Sequence, residues 1–297
     1  MQYTKSQFLM GTDVTINVNS INNPSEYIYN SFSIFYSLEK EFSRFLDSSE
    51  LFLLNNSKEM KVSSRFIDIF NISKSLNDDT NHYFNPLVNL SNIGYSSDFG
   101  KGLFEKKGDT QNLDLNTILV IGDFISLNKE QNLDFGGFVK GYAVDMVSKY
   151  LVDNGFNDFI INAGGDIYIG GDNQYGKTPV VAIDSPFNPA YIFATLELSN
   201  QAISTSGTYK RNWKINDKGY HHIIDPITKE NNYEIVSVSI IHEKCYIADA
   251  YATACIAMGI EKSIQFLSQK NIDGVIIGSD GKVYEIGNMS EYNLEII

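Results

Sequence analysis

Asp249 and Thr253 stand four residues apart in ADAYATACIAMG, residues 248–259. On a helix that spacing puts a carboxylate and a hydroxyl on one face, one turn apart. Two oxygens so placed suit a hard cation. Ala248, Ala250, Ala252, Ala254 and Ala257 keep the helix thin enough for another backbone segment to come close. A tightly packed alanine helix, with Asp249 answering the helix dipole, reads the same way, and spacing alone leaves both readings open.

Three further stretches carry chemistry. In DFGGFVKGYAVD, residues 134–145, Gly136 and Gly137 fall where an expected strand feeds a helix. Bare backbone N–H groups there can approach an anion, and Lys140 adds a full charge one turn on. A tight turn with a solvated Lys140 is the plainer alternative. Gly136, Gly137 and Gly141 do not make G-x-G-x-x-G, and no G-K-[ST] follows, so dinucleotide-fold and P-loop readings lose weight. In KGYHHIIDPIT, residues 218–228, strand alternation sends His221 and His222 to opposite faces, so at most one points into a given pocket. Pro226 disfavours helix at Asp225. In AISTSGTYKR, residues 202–211, hydroxyls before Gly207 can donate to phosphate or ribose, or simply close a polar turn. INAGGDIYIG, residues 161–170, sets Gly164, Gly165 and Asp166 between two apolar runs where a buried strand could have carried on.

The elements that must hold these groups follow from periodicity. Residues 8–18 alternate and read as an opening strand. Ile28, Phe32, Phe35, Leu38, Phe42 and Phe45, spaced by three and four, make an amphipathic helix. A second helix is expected over about 63–77, capped by Ser63 or Ser64. A strand ending near Asp134, a helix burying Val139, Ala143, Met146, Val147, Tyr150 and Leu151 and closed by Gly155, and a strand DFIINAGG suggest a βαβ unit with a right-handed crossover. YEIVSVSII, the alanine helix ending at Gly259, GIEKSIQFLSQKN and a closing strand DGVIIG repeat the alternation. The expectation is a mixed α/β or α+β fold without a linker.

The chain has 297 residues, 43% of them hydrophobic, enough for a large core. The stretch 105–116 reads as a polar surface loop. A net charge of −13 repels nucleic acid and anionic membranes, so a phosphate ligand needs a cation, a helix N-terminus or a well-placed lysine. Cys245 and Cys255 are too few and too far apart for a zinc site and read as buried small hydrophobes. No run reaches the ~20 apolar residues of a membrane span. MQYTKSQFLMGT lacks a signal-peptide core, so the chain as it stands reads as soluble and cytoplasmic, or extracytoplasmic if a leader was removed.

Taken in order, MGTDVTINV (10–18), EKEFSRFLDSSEL (39–51), HYFNPLVNLSNIGY (82–95), LDFGGFVKGYAVD (133–145), NAGGDI (162–167), STSGTY (204–209), HIIDPIT (222–228) and ADAYATACIAMG (248–259) resemble the ApbE-type flavin transferases, the FAD:protein FMN transferases. The resemblance covers nearly the whole chain. It implies one domain over 1–297 with mixed sheets flanked by helices and a cofactor cleft between two lobes. It implies FAD as substrate, cleaved with a divalent metal, Mg²⁺, and FMN attached to a Thr or Ser of a target flavoprotein with release of AMP. Family acceptors carry D-x-x-[ST]-G-A-[ST].

Laid onto this chain, the family's metal ligands fall on Asp249, Thr253 and the backbone carbonyl of Ala163, and its general base on His222. Its flavin-nucleotide contacts fall on Met10, Gly11, Thr12, Asp134, Gly136, Gly137, Lys140, Asp145, Gly164, Gly165, Asp166, Thr205, Ser206, Gly207, Tyr209, Ile224 and Asp225. Gly164 and Gly165 would then let the turn pass close to the nucleotide and aim a carbonyl at the metal. The chain departs from the family at Asn85, where an acid is usual, at Lys229, where glycine is usual, and in having no leader. An FAD pyrophosphatase and a non-catalytic flavin carrier are the alternatives; a base such as His222 argues against the carrier.

Overall fold

The computed structural model describes residues 1–88, 112–172, 176–188 and 190–297. Strands β1 (Gln2–Leu9) and β2 (Thr12–Asn19) open the chain, followed by α1 (Ser25–Phe42), α2 (Glu50–Ser57), β3 (Glu59–Lys61) and α3 (Ser64–Asp79). After β4 (Leu119–Ile121) and β5 (Phe124–Ser126) come α4 (Val139–Asp153), β6 (Phe159–Ala163), β7 (Asp166–Gly170), β8 (Val180–Asp184) and β9 (Ile192–Glu197). The rest is β10 (Gln201–Gly207), β11 (Asn212–Ile215), β12 (Lys218–His221), β13 (Ile235–His242), α5 (Cys245–Met258), α6 (Ile260–Gln269), β14 (Asp273–Gly278), β15 (Val283–Ile286) and β16 (Glu295–Ile296).

An eight-stranded sheet, ordered β1-β2-β6-β7-β10-β13-β14-β15, is the backbone of the fold, and every pairing in it is antiparallel. Its central strands β13 and β14 are buried on both faces, whereas the edge strand β1 is largely exposed. Ile240 and Ile276 face a core shared with α1, α4 and α5, whereas their chain neighbours Ile241, Val275 and Ile277 face a second core under the three-stranded sheet β16-β9-β8. Alternation by one residue is what lets each strand serve two layers. α2, α3 and the small sheet β3-β5-β4 extend the first core through Leu51, Leu54, Phe66, Ile69 and Ile125.

Several local expectations hold. Ser63 caps α3 by accepting from Phe66 N, and Gly155 at φ +85° follows the end of α4, with Phe156 N returning to Leu151 O. Both cysteines are buried, and burial raises both thiols, Cys255 to about 12. No described helix is long and apolar enough to cross a membrane.

Other expectations are corrected. The opening strand is a hairpin, broken by Met10 and Gly11 at φ +52° and +74°. α1 stops at Phe42, which leaves Phe45 outside the helix and 48% exposed. DGVIIG does not close the fold, since β15 and β16 follow it. The βαβ unit is absent: residues 128–138 carry no strand, and β6 and β7 form a hairpin. That stretch satisfies its backbone with side chains instead of a ladder. Asn55 bonds both N and O of Leu133, and Lys58 Nζ donates to Gln131 O. Of the block 82–95, residues 89–95 lie outside the described residues, as do 105–111 of the expected polar loop.

Two helices meet at backbone contact. A Cβ on Gly141 of α4 would lie 2.7 Å from the carbonyl carbon and oxygen of Cys245 and from Cα of Tyr246, at the start of α5. Asp145, one turn further along α4, accepts from Cys245 N at 2.9 Å and Tyr246 N at 3.0 Å and so caps α5. Burial pushes that carboxyl up to about 6, against the pull of the two N–H groups. At an open helical position Gly→Ala gains roughly 0.5–1 kcal/mol. Gly141→Ala is expected instead to lose about 1–3 kcal/mol through overpacking, read by urea denaturation; a gain would show that α4 and α5 stand further apart.

Candidate active site

The α4–α5 contact brings Lys140 and Asp249 side by side. Lys140 Nζ donates to Asp166 Oδ2 at 2.5 Å and to Asp249 Oδ2 at 3.2 Å. All three side chains are largely or fully buried, Lys140 being 19% exposed and the acids 4% and 5%. With both acids ionised, two carboxylates against one ammonium leave one negative charge in excess. Burial, followed by the field of Asp166, raises Asp249 well above the usual carboxylate range, while Lys140 and the Gly141 N–H pull it back. Lys140 itself is pulled down by burial, but the two acids outweigh that and hold it firmly protonated.

Oxygen donors gather around this triad. Thr253, one turn after Asp249, places Oγ1 3.2 Å from Ser206 Oγ on β10. The backbone of Gly137, just before α4, lies beside the same hydroxyl, which would sit 3.8 Å from a Cβ added there. Asp166 starts β7 immediately after the Gly164–Gly165 turn, whose glycines take φ of +71° and +108°. Both values lie where only glycine is at ease, which makes the tight β6–β7 hairpin possible. Thr205 N reaches back to Gly165 O, and Thr12 packs directly on Gly164. An excess negative charge beside carboxylate and hydroxyl oxygens fits a hard divalent cation such as Mg²⁺. The described residues hold no cluster of three His, Cys, Asp or Glu, so such a cation here depends on hydroxyl and backbone oxygens as well.

The two histidines separate cleanly. His221 Nε2 donates to Asn232 O at 2.9 Å, and its Nδ1 faces the N–H groups of Ile223 and Asn231, so both ring nitrogens are engaged. Among the described residues His222 bonds only through Nδ1, on the carbonyl of Arg211 at 3.3 Å. A carbonyl only accepts, so Nδ1 carries the proton and Nε2 keeps its lone pair. Burial, then the charge of Arg211 and the neighbouring His221, lower His222 to about 3, with a smaller contribution from Arg44.

Other expected contacts have structural work in view. Asp134 accepts from Gly136 N at 2.8 Å and from Arg44 at 2.5 Å. Asp225 ties its own turn, taking Ile227 N and the Thr228 hydroxyl, and Ile224 packs with Trp213 and Tyr220. Met10 N donates to Glu39 at 2.9 Å beside Gly11. Tyr209 lies against Gly207 with the Lys210 ammonium 5.6 Å from its ring centre. Asn85 accepts from Leu87 N and donates to Leu113 O, each at 2.9 Å. An acid could supply only the first bond. Lys229 stands at φ +61°, the left-handed backbone that suits the family's glycine. Cavities of about 650 and 440 Å³ share the 225–229 turn, and neither is lined by Lys140, Asp166 or Asp249.

The sequence reading missed Arg44 and Arg211. Only three of the 23 basic residues are arginines. Two of them act on His222.

Known proteins match the chain in sequence and in fold. The model of the ApbE family matches residues 10–276. An FAD:protein FMN transferase of Rhodobacter capsulatus is 33% identical over 166 residues, 55% of this chain and 31% of its own length. One from Chlamydia muridarum is 36% identical over 132 residues, covering 43% of this chain and 40% of its own. The chain thus spans less than half the length of the curated relatives it matches. The ApbE protein of Thermotoga maritima superposes with a TM-score of 0.88 over 98% of this chain and 99% of its own, at 22% identity, which speaks for the fold.

A histidine with a folded value near 3 is neutral at every physiological pH. Its unfolded value is about 6.5, so the unfolded chain binds more protons between those limits, and this group's share of stability rises with pH across that window and is lost as pH falls through it. In the free protein the His222 ring, followed by NMR, is expected to stay neutral from pH 8 down to pH 5. A midpoint near 6.5 would contradict the burial and charge described.

Proposed function

Since this chain belongs to the ApbE family, we propose that it is an FAD:protein FMN transferase, working as one unit over residues 1–297. FAD and a flavoprotein bearing an acceptor Thr or Ser are its substrates. The observation that carries the reading is the buried Lys140–Asp166–Asp249 triad, with the Thr253 hydroxyl one turn from Asp249. His222, whose Nδ1 lies on the Arg211 carbonyl, is the base in this reading.

Asp249, Thr253 and the Ala163 carbonyl would hold Mg²⁺, which when bound supplies charge neutralisation on the pyrophosphate oxygens. In a chain of charge −13 such local positive charge is what admits a dianionic pyrophosphate. Lys140, tethered by Asp166, lends its ammonium to the same region. The thin, alanine-rich flank of α5 lets the Gly137 backbone approach Thr253.

His222 Nε2 takes the proton of the acceptor hydroxyl as that oxygen attacks the FMN-side phosphorus. The new P–O bond joins FMN to the acceptor, and the bond to the AMP phosphate breaks, so AMP leaves with the bridging oxygen. The Arg211 carbonyl holds the His222 tautomer that this requires. With water in place of the hydroxyl the same steps release free FMN.

The test is incubation with FAD, Mg²⁺ and a flavoprotein domain carrying the acceptor motif. Covalent flavin on the domain and free AMP are expected. His222→Ala should bind FAD normally and transfer about 10²–10⁴-fold more slowly, and Asp249→Ala should lose Mg²⁺-dependent AMP release. Transfer by His222→Ala at the unsubstituted rate would remove His222 from the mechanism.

A further inference from the structure

Arg211 precedes β11, and His222 follows β12. The β11–β12 ribbon pairs Asn212 with His221, and the next bond, His222 N to Arg211 O at 3.2 Å, carries the pairing one step further. Residues directly opposite in an antiparallel ribbon point to the same face, their Cβ atoms about 4.5–5.5 Å apart. Arg211 and His222 are therefore cross-strand neighbours on one face. Asn212 Nδ2, bonded to Tyr209 O at 2.7 Å, fixes the loop that leads into them.

The other two arginines have carboxylate partners: Arg44 pairs with Asp134 and Arg65 with Glu41. Among the described residues Arg211 has no carboxylate within ion-pair distance, although it is only partly exposed and the chain carries 36 acids against 23 bases. A half-buried cation beside a neutral histidine, in so acidic a chain, is costly unless an anion completes it. A guanidinium is the side chain best shaped to grip a phosphate through two parallel hydrogen bonds.

We infer that Arg211 is a phosphate-gripping residue of the substrate site, which holds the FAD pyrophosphate in front of His222. The inference rests on the FMN-transferase reading and adds a residue to it. The charged and titratable groups that act on His222 are Arg211 across the ribbon, His221 next to it in the chain, and Arg44 from the segment after α1. Of these, Arg44 is already answered by Asp134 and His221 is engaged on both nitrogens. Arg211 is left as the group whose charge an incoming phosphate can cancel.

The experiment compares the full chain with Arg211→Met and Arg211→Lys. FAD affinity in the presence of Mg²⁺ is read by flavin fluorescence, and the His222 ring is followed by NMR, its resonance assigned with His222→Gln. Arg211→Met is expected to weaken FAD binding at least tenfold and Arg211→Lys less, because the lysine keeps the charge but loses the two-pronged grip. In the free protein the His222 midpoint should move up in Arg211→Met. Inorganic pyrophosphate should raise it in the unsubstituted protein and barely move it in that variant. FAD affinity within twofold of the unsubstituted protein in Arg211→Met, with pyrophosphate still shifting His222, would overturn the inference while leaving the transferase reading intact. An unsubstituted protein that binds no FAD would overturn both. A folded variant is verified by the same NMR spectra, and Arg211→Lys provides the second measurement if Arg211→Met does not fold.

Discussion

One ammonium shared between two buried carboxylates organises this molecule. Lys140 comes from α4, Asp166 from the start of β7 and Asp249 from α5, so three elements far apart in the chain are tied at one point. Truncating one partner of such a buried pair generally costs about 3–5 kcal/mol, because the charge left behind is uncompensated. The arrangement is nevertheless unbalanced by one negative charge, which structure alone has no reason to keep. The divalent cation proposed to bind there, and through it a pyrophosphate, would give it one.

The rest of the fold works to hold that point. Gly141 lets α4 come to backbone contact with α5, and Asp145 caps α5 from the neighbouring helix, which fixes the rotation at which Asp249 and Thr253 face inward. The Gly164–Gly165 turn delivers Asp166 from the centre of the eight-stranded sheet, where flanking strands leave it no freedom. The β11–β12 ribbon brings His222 and Arg211 in from another direction. Helix packing sets how Asp249 and Thr253 are presented, and strand register sets His222 opposite Arg211.

What was legible in the sequence was local. The four-residue spacing of Asp249 and Thr253, the cap at Ser63 and the glycine turn all depend on neighbours within a turn or two. Pairing partners are not local: residues 128–138 look like a strand, but Asn55 and Lys58, more than seventy residues earlier, take over their backbone bonds. Asp145 looks like a site acid until its caps on Cys245 and Tyr246, a hundred residues on, are seen. Arg211 escaped notice for the same reason, since only the ribbon register sets it opposite His222. Eight blocks in family order supplied what spacing could not, namely the family.

The central claim is that the excess charge of the Lys140–Asp166–Asp249 triad, with Thr253 beside it, is completed by a divalent cation. Crystals grown with Mn²⁺ and FAD, with data collected at the manganese edge, test it most directly. The account predicts an anomalous peak within bonding distance of an Asp249 carboxylate oxygen and of Thr253 Oγ1, with Lys140 still on Asp166. Bound FAD with no peak between Asp249 and Thr253, or a manganese ion held elsewhere on the chain, would contradict it.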